Sequence, residues 1–596
     1  MTAQQKQKDV EAGLHDQTNL LPIRQLLIVF SCMSLSLLVC FIDQNGLGVL
    51  LPSIAKDLNA ENTISWAGTS NLIANTVFQV LYGRLSDLFG RKLVYVSALA
   101  LLCISDLLCG LAVNSTMLYF FRGLAGVAGG GITSLSMMIV SDVVTLEMRG
   151  RYQGILGAMV GMGNMVGPLL GAAFAEHSTW RGLFYLVCPV AAVCGIVDWF
   201  MVPSSMPPED FKGNVKKIDF WGILTGSAAI ILILIPISGG GSYFAWDSAL
   251  VIAMLAVGGV CAIGFVLVEW KVASLPMMPL ALFRNIPVAV MLLQNFFFGA
   301  VYYAYLYYLP LYYQNVRDMS PLLSAILTIP IVFCQSFFSI LTGLYISHYK
   351  RYGEVIWAGF ILWTIGSSLL TLFNRTLHIA AVVIISGIVG TAVGFIFQPT
   401  LVAMQAHCTK AQRAVVISNR NFLRSLGGAL GLAISAAVLQ NSLKDALPPA
   451  FKSLADSTYT SPDYSRYSAA DGDAIHDAYA HASRTVFITL APFVALCLFG
   501  CFLVKDNGLT RPDEEGQPGT GAATDATVTQ VGPEDDDDDD DDEKDHEKHG
   551  AADAAGTPRA SVSVAPEVKE APTASAQPLG ESDGGEGEKT MGTDRT

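Results

Sequence analysis

Three ionisable side chains lie inside long apolar runs of the chain, and they indicate where an ion or a substrate could pass. Asp43 occurs in IDQNGLGVLLP, Arg122 in FFRGLAGVAGGG and Arg424 in SNRNFLRSLGGALGLAI. A charge at the centre of a bilayer costs about 3 kcal/mol on insertion scales, so such residues mark functional sites by default. Counting about 1.5 Å per helical residue places Asp43 and Arg122 at comparable depth, where a pair could exchange protons.

Each of these charges has two interpretations. Asp43 is a site for a proton or a cationic substrate, or it is half of a structural ion pair. Arg424 is a cation in a substrate cavity, or again half of a structural pair. Asp106 and Asp198 also lie in apolar runs, but no motif surrounds them, and we interpret both as structural.

Three amides recur at four-residue spacing within one apolar run. Asn71, Asn75 and Gln79 therefore share one helix face. They either line a cavity or hydrogen-bond to neighbouring helices.

Seven tyrosines are concentrated in VYYAYLYYLPLYYQN, between Tyr302 and Tyr313. They form either an aromatic belt at the membrane surface or, through Tyr305, a wall that holds amphipathic or cationic ligands. Gln398 is a further candidate for lining a cavity.

Small residues follow a regular order in one run, namely Gly154, Gly163, Gly167, Pro168 and Gly171. This spacing predicts a helix face almost free of side chains beside a proline kink, against which another helix backbone can pack closely. Generic packing of small residues is the alternative interpretation.

The stretch GRLSDLFGRK connects two of the apolar runs. Gly83 and Gly90 allow a tight connection, while Asp87, Arg91 and Lys92 place charge in it. Lys and Arg near the ends of membrane spans resist translocation, so this connection is predicted to be cytoplasmic.

The composition requires a membrane to position these residues. The chain has 596 residues, 52% of them hydrophobic and 14% charged, with a mean hydropathy of +0.47. Runs of about 20 apolar residues are long enough to cross a bilayer, and such runs predict fourteen spans. Only helices satisfy their own backbone in lipid, so the fold class is an all-α polytopic membrane protein.

The order of the spans predicts two six-helix bundles separated by an inserted pair. Basic residues concentrate in alternate connections, which places both termini in the cytoplasm. GLYISHYKRY at residues 343–352 is a degraded copy of GRLSDLFGRK, as an internal repeat would produce. The predicted segments are a cytoplasmic stretch 1–25, a bundle 26–202, a linker with two helices 203–286, a bundle 287–504 with a long external loop 440–484, and a disordered acidic cytoplasmic tail 505–596.

The acidity of the chain belongs to that tail. Residues 505–596 carry a net charge of −17, whereas the preceding 504 residues carry +3, which gives −14 for the whole chain. The tail includes a run of eight aspartates. Such a composition buries too little apolar surface to fold. We therefore do not expect the core to bind nucleic acid. No metal site or cofactor is predicted, because the eleven cysteines form no Cys-x-x-Cys pair.

Four of these motifs resemble those of one family. GRLSDLFGRK resembles the signature between the second and third helices of major facilitator superfamily transporters. Asp43 to Pro52 resembles the first-helix motif of its fourteen-span drug:proton antiporters, and Arg122 with Gly126 resembles their Arg-x-x-x-Gly motif. The glycine order from Gly154 resembles the antiporter motif of drug exporters, although Ala172 replaces the usual second glycine.

The resemblance implies a major facilitator fold of fourteen helices in a 6+2+6 arrangement and a transporter rather than an enzyme. It implies a proton-coupled exporter of amphipathic or cationic drugs, toxins or a secondary metabolite. The conformational latch that it implies consists of Gly83, Asp87, Gly90, Arg91 and Lys92, with Asp87 and Arg91 as its charged pair. The partners of such an exporter would be the lipid bilayer, protons and a small-molecule substrate, and the protein would be monomeric in the plasma membrane. The alternatives are a vacuolar transporter of basic amino acids and a nutrient sensor that does not transport.

Overall fold

The computed structural model describes a defined part of the chain, and every structural statement below concerns that part. The described residues are 21–60, 63–64, 66–203, 218–239, 244–456, 468–506 and 508–509. The predicted disordered tail beyond residue 509, the predicted cytoplasmic stretch before residue 21 and the basic linker at 204–217 lie outside the described residues.

Fourteen helices of at least 18 residues make up the described chain. In order they are α1 Ile23–Asp57, α2 Trp66–Phe89, α3 Arg91–Gly110, α4 Ser115–Val143, α5 Leu146–His177, α6 Arg181–Met201, α7 Phe220–Gly239, α8 Ala249–Lys271, α9 Ile286–Asn315, α10 Pro321–Tyr349, α11 Gly353–Leu370, α12 Ile379–Phe397, α13 Arg413–Ala446 and α14 Ala469–Gly500. A short helix, Pro399–Ala406, continues α12 after a break at Gln398. The all-α prediction is confirmed.

Thirteen of these helices are long and apolar enough to span a membrane. The exception is α2, which has 24 residues but carries the amides of Asn71, Asn75 and Gln79. These three side chains are buried, because α2 packs against α4 and α13. Burial within protein removes the need for a continuously apolar surface, so α2 is the fourteenth span.

The helices form two bundles with an additional pair between them. We call α1–α6 the N bundle and α9–α14 the C bundle. Helices α7 and α8 pack against each other, and α7 also contacts α2 and α13. The two bundles meet chiefly through α5 with α10 and through α2 with α13.

The connections on one side of the bundles carry most of the basic residues, and we call this side the basic end. It includes the α2–α3, α4–α5, α10–α11 and α12–α13 connections. Gly90 has φ +87° between α2 and α3, a left-handed conformation that glycine adopts without strain. This conformation allows two long helices to follow each other with a single residue between them.

The predicted external segment 440–484 is helical at both of its ends. Helix α13 continues to Ala446, and α14 begins at Ala469, so helix covers both ends of that segment. Polar residues such as Lys444, Asp471 and Asp473 ended the apolar runs in the sequence. They do not end the helices, because a helix that leaves the bilayer can continue in water with polar side chains.

Close packing of α9 on α13 yields a first testable prediction. A Cβ atom at Gly299 would lie 1.9 Å from the backbone oxygen of Arg424, so Gly299→Ala must push the two helices apart. We expect a loss of at least about 2 kcal/mol of stability, measured as a lower melting temperature in detergent. Gly259→Ala in α8 is the control, since nothing lies within 4 Å of its Cβ position. An equal effect of the two substitutions would contradict the prediction.

Candidate functional site

A buried ion pair lies inside the N bundle. Arg122 of α4 donates from Nη1 to Oδ1 of Asp43 at 2.7 Å and to Oδ2 at 2.9 Å. Both side chains are about 1% exposed. The ring of Phe184 covers the guanidinium at 5.7 Å, and Asn71 donates to the backbone oxygen of Arg122. Asp43 and Arg122, which the sequence places only at similar depth, are therefore in direct contact.

A second carboxylate faces the same guanidinium. Oδ1 of Asp106 in α3 lies 3.8 Å from Nη1 of Arg122, and the side chain of Asp106 is fully buried. Neither of its oxygens has a hydrogen-bond partner. We assign Asp106 a structural role from the sequence. Arg122 is the only described contact that supports this role.

Two arginines lie side by side at the interface between the bundles. Arg420 and Arg424 are four residues apart on α13, and they are 0% and 2% exposed. The guanidinium carbon of each lies 4.9 Å from the centroid of the same ring, that of Phe397 in α12. Arg420 also donates to the backbone oxygen of Phe397 and to Oδ1 of Asn421.

Neither arginine of this pair has an acidic partner among the described residues. Arg424 makes no hydrogen bond there, and Nε of both guanidinium groups is buried without an acceptor. The interpretation of Arg424 as half of a structural ion pair is therefore not supported. Two buried cations without a counter-ion are costly, and an anionic ligand would offset that cost.

Further polar groups surround the arginine pair. Both amide atoms of Gln398, at the break after α12, are buried without partners, and its side chain lies against Gly157 of α5 in the other bundle. Asn421 lies against Ser134 of α4 at 3.5 Å. We call Arg420, Arg424, Gln398 and Asn421 the central cluster.

A hydrogen-bonded chain reaches the central cluster from the N bundle. Asn45 donates to Asn164 at 3.0 Å, Asn164 donates to the Tyr302 hydroxyl at 3.2 Å, and Tyr302 donates to Gln335. The Tyr302 ring stacks on the Phe298 ring at 5.4 Å, and Phe298 stacks on Phe397, the ring that both arginines contact. Since Asn45 is two residues from Asp43, this chain is a physical connection from the Asp43 region to the central cluster.

A network of ion pairs joins the two bundles at the basic end. Arg91 donates to Asp87 at 2.7 Å and to Asp142 of α4 at 2.9 Å. Arg413 of α13 donates to the other oxygen of Asp142, and Arg84 lies 3.7 Å from Asp87. We call these five residues the basic-end network. It links the predicted latch residues Asp87 and Arg91 to the opposite bundle.

The other predicted latch residues have different surroundings. Gly83 packs against α13, where an added Cβ would lie 2.3 Å from Oγ of Ser418. Gly90 serves the α2–α3 turn. Lys92 takes no part in the basic-end network, because its Nζ lies 5.5 Å from the Trp199 ring of α6.

The glycines of the predicted antiporter motif contact two different helices. Added Cβ atoms at Gly163, Gly167 and Gly171 would meet α1 at 2.5–2.9 Å, so these glycines form one face. Gly154 instead faces α10, where a Cβ would lie 2.5 Å from the Ser339 oxygen. The prediction of a single face is wrong for Gly154, and Pro168 lies within α5 beside the α1 contact.

The residues predicted to line a cavity have different surroundings in the structure. Gln79 accepts a hydrogen bond from Ser425 of α13 at 3.0 Å and Asn71 bonds α4, so these two amides join helices, whereas Asn75 accepts a hydrogen bond from Gln79 on its own helix at 2.7 Å. Tyr305 is buried within the C bundle, 6.1 Å from the Phe487 ring. Five of the seven tyrosines are buried, which contradicts a membrane-surface belt.

Sequence reasoning missed Arg420, Asp142 and Arg413 as functional residues. Arg420 lies four residues before Arg424, a spacing that places both on one helix face and could have indicated the pair. Asp142 and Arg413 are 271 residues apart, and no local signal relates them.

Comparisons with known proteins agree with this architecture. A family model described as Major Facilitator Superfamily matches residues 33–432. Two solved structures share the fold: the human organic anion transporter MFSD10, with a TM-score of 0.54 and 15% identity over 81% of this chain and 100% of that one, and the proton:xylose symporter XylE, with a TM-score of 0.57 and 14% identity over 83% and 99%. At such identities the likeness shows the fold alone.

Similar fungal proteins are much nearer in sequence. Citrate exporter 1 of Yarrowia lipolytica is 47% identical over 517 residues, which cover 86% of this chain and 77% of the relative. MFS-type transporter clz4 of Cochliobolus lunatus is 44% identical over 85% of this chain and 90% of the relative. Efflux pump dotC of Dothistroma septosporum is 31% identical over 84% and 87%.

Proposed function

This chain belongs to the major facilitator superfamily, and from that premise we propose that it exports small organic anions with several carboxylates. The protein is a multi-pass membrane transporter, and its relatives form a family of transporters rather than enzymes. The proposed substrate class differs from the amphipathic or cationic molecules that the sequence alone favours.

The observation that carries the proposal is the arginine pair without an acid. Arg420 and Arg424 present two positive charges at the interface of the bundles, where transporters of this architecture bind substrate. Carboxylates accept charge-assisted hydrogen bonds from guanidinium groups with favourable planar geometry. The amides of Gln398 and Asn421 would bind hydroxyl or further carboxylate oxygens. The name of the similar citrate exporter supports the same class.

The membrane potential favours outward movement of such a substrate. Each elementary charge that crosses about 100 mV changes free energy by about 2.3 kcal/mol, so a trivalent anion leaving a negative cytosol gains about 7 kcal/mol. Proton entry through the buried site around Arg122, where Asp43 and Asp106 both face the guanidinium, would add to this driving force. We propose proton coupling on the basis of that buried site.

The observed contacts support an alternating-access cycle with the basic end closed. Among the described residues, the cross-bundle hydrogen bonds and ion pairs lie between the basic end and the Asn164–Tyr302 contact. If the basic end is cytoplasmic, as the charge pattern predicts, this conformation binds or releases substrate on the outer side. The proposed location is the plasma membrane, which a fluorescent fusion distinguishes from the vacuolar alternative.

The test is transport by the purified protein in vesicles loaded with labelled citrate. We expect efflux that an inside-negative potential accelerates, with competition in the order tricarboxylate, dicarboxylate, monocarboxylate. The order follows from the number of carboxylates that two guanidinium groups and two amides can bind. A cationic dye should not compete, because the central cluster has no described acid.

Two outcomes would contradict this function. Transport of the cationic dye without transport of carboxylates would favour the drug-efflux alternative. The similarity to efflux pump dotC is the observation that supports this alternative. Citrate efflux that does not respond to the potential would exclude net movement of charge and, with it, the proposed driving force.

A further inference from the structure

We propose that Asp106 is the residue that carries the coupled proton, with Asp43 as the fixed counter-ion of Arg122. This inference rests on the proposed function, since it assigns the step that couples protons to anion export. It also changes the role of Asp43, which the sequence favours as the proton site.

The geometry separates the two carboxylates. Both oxygens of Asp43 accept from Arg122 at 2.7 and 2.9 Å, so this carboxylate is held in its ionised form. Asp106 lies 3.8 Å from the same nitrogen, and neither of its oxygens has a hydrogen-bond partner. One guanidinium thus faces two acids and bonds only one of them.

The charges decide which acid is neutral. Three ionised groups would leave a net negative charge in a site where all three side chains are at most 1% exposed. A buried charge without a compensating partner is strongly disfavoured, and a carboxylate avoids this cost by binding a proton. Asp106 is the carboxylate that can be neutralised without breaking a hydrogen bond.

The surroundings of Asp106 contain no second cation among the described residues. Cys40 and Asp43 approach from α1, Arg122 from α4 and Cys188 from α6, with Cys109 on the same helix. Thiols are weak hydrogen-bonding groups and do not replace Arg122 as a charge partner.

The proposed step is a balanced transfer of one proton. The O–H bond of the Asp106 carboxylic acid breaks, the proton passes to water, and the triad changes from neutral to a net charge of −1. Asp106 then competes with Asp43 for Arg122, which loosens the contact between α1 and α4. Asn45 connects this part of α1 through Asn164 to Tyr302, whose ring stacks on Phe298 against Phe397, so the movement would reach the ring that both arginines contact.

The test compares Asp106→Asn, Asp43→Asn and Asp198→Asn in reconstituted vesicles. Asp198 is the matched control, because it is also fully buried in the N bundle without hydrogen bonds on either oxygen, but it does not face Arg122. We expect Asp106→Asn to abolish accumulation driven by a pH gradient while exchange of labelled citrate persists. Asp43→Asn should also impair exchange, by at least about tenfold, because Arg122 loses its bonded partner. Asp198→Asn should keep gradient-driven accumulation.

A second measurement does not depend on the substrate. Infrared difference spectra of the full-length protein at neutral pH should contain a protonated-carboxyl component that Asp106→Asn removes and that both Asp43→Asn and Asp198→Asn retain, because the equally buried Asp198 contributes a separate component. If wild-type protein transports no anion but shows this assignment, the proposed function fails while the protonation of Asp106 stands. Loss of that component in Asp43→Asn instead, or gradient-driven accumulation that survives Asp106→Asn, would overturn the inference.

Discussion

Replacing Arg424 with glutamine is expected to reduce citrate transport about a hundred-fold without destabilising the protein. A buried charge-assisted contact with a carboxylate contributes about 3 kcal/mol, which corresponds to that factor. In a structural ion pair the same change would leave an acid buried without its partner and lower stability by about 3–5 kcal/mol. Arg424 has no acid among the described residues, so its loss should leave the melting temperature equal or higher.

The lysine variants separate the two arginines. Arg424 contacts the Phe397 ring and donates no described hydrogen bond, so Arg424→Lys keeps its charge and should retain most transport. Arg420 donates to the Phe397 oxygen and to Asn421, a fork that one ammonium group does not reproduce, so Arg420→Lys should lose most transport. Arg375→Gln, at an exposed pair with Asp473, is the control. A fall in melting temperature for Arg424→Gln would restore the structural interpretation.

The fold could be predicted because a bilayer constrains helices strongly. Apolar length defines the predicted spans, and it includes α2 despite the three amides of that helix. The helical ends of the predicted external segment 440–484 could not be predicted, for the converse reason. Hydropathy reports where lipid ends, whereas α13 and α14 continue past that point with polar side chains.

The site could be predicted only in part, because sequence gives depth and not direction. Asp43 and Arg122 were placed at one depth, and the structure shows that they also face each other. Asp106 lies beside the same guanidinium on a third helix, α3, and no residue spacing in the sequence indicates this contact. Arg420 was missed because it is only the eighth residue of α13 from the basic end, where a charge is ordinarily a surface residue.

The proposed substrate class rests on the absence of a described acid beside Arg424. The sequence contains many acids, and any of them could have neutralised Arg424. Only the packed structure shows that no described acid pairs with Arg424, and that Asp142 pairs instead with Arg91 and Arg413, and Asp43 with Arg122. The inference from cationic to anionic substrates therefore required the fold.

Asp142→Asn is expected to open the basic end. Asp142 accepts from Arg91 of the N bundle and from Arg413 of the C bundle, and asparagine would leave two guanidinium groups facing each other without a charge between them. Loss of about 3 kcal/mol from the closed state would shift the equilibrium more than a hundred-fold toward the open one. The population of the closed state is therefore the quantity to measure.

Two native residues report that population without further engineering. Nζ of Lys350 lies 2.5 Å from Oε2 of Glu147 across the bundles, so a carbodiimide should join them in the closed state. We expect the yield of this cross-linked peptide to fall at least about tenfold in Asp142→Asn, with Glu147→Gln as the blank. Asp57→Asn makes the same chemical change at the opposite end, where Asp57 pairs with Arg181 within the N bundle, and it should leave the yield unchanged. Unchanged cross-linking in folded Asp142→Asn would mean that helix packing alone, such as that of Gly150 against Gly343, holds the basic end closed.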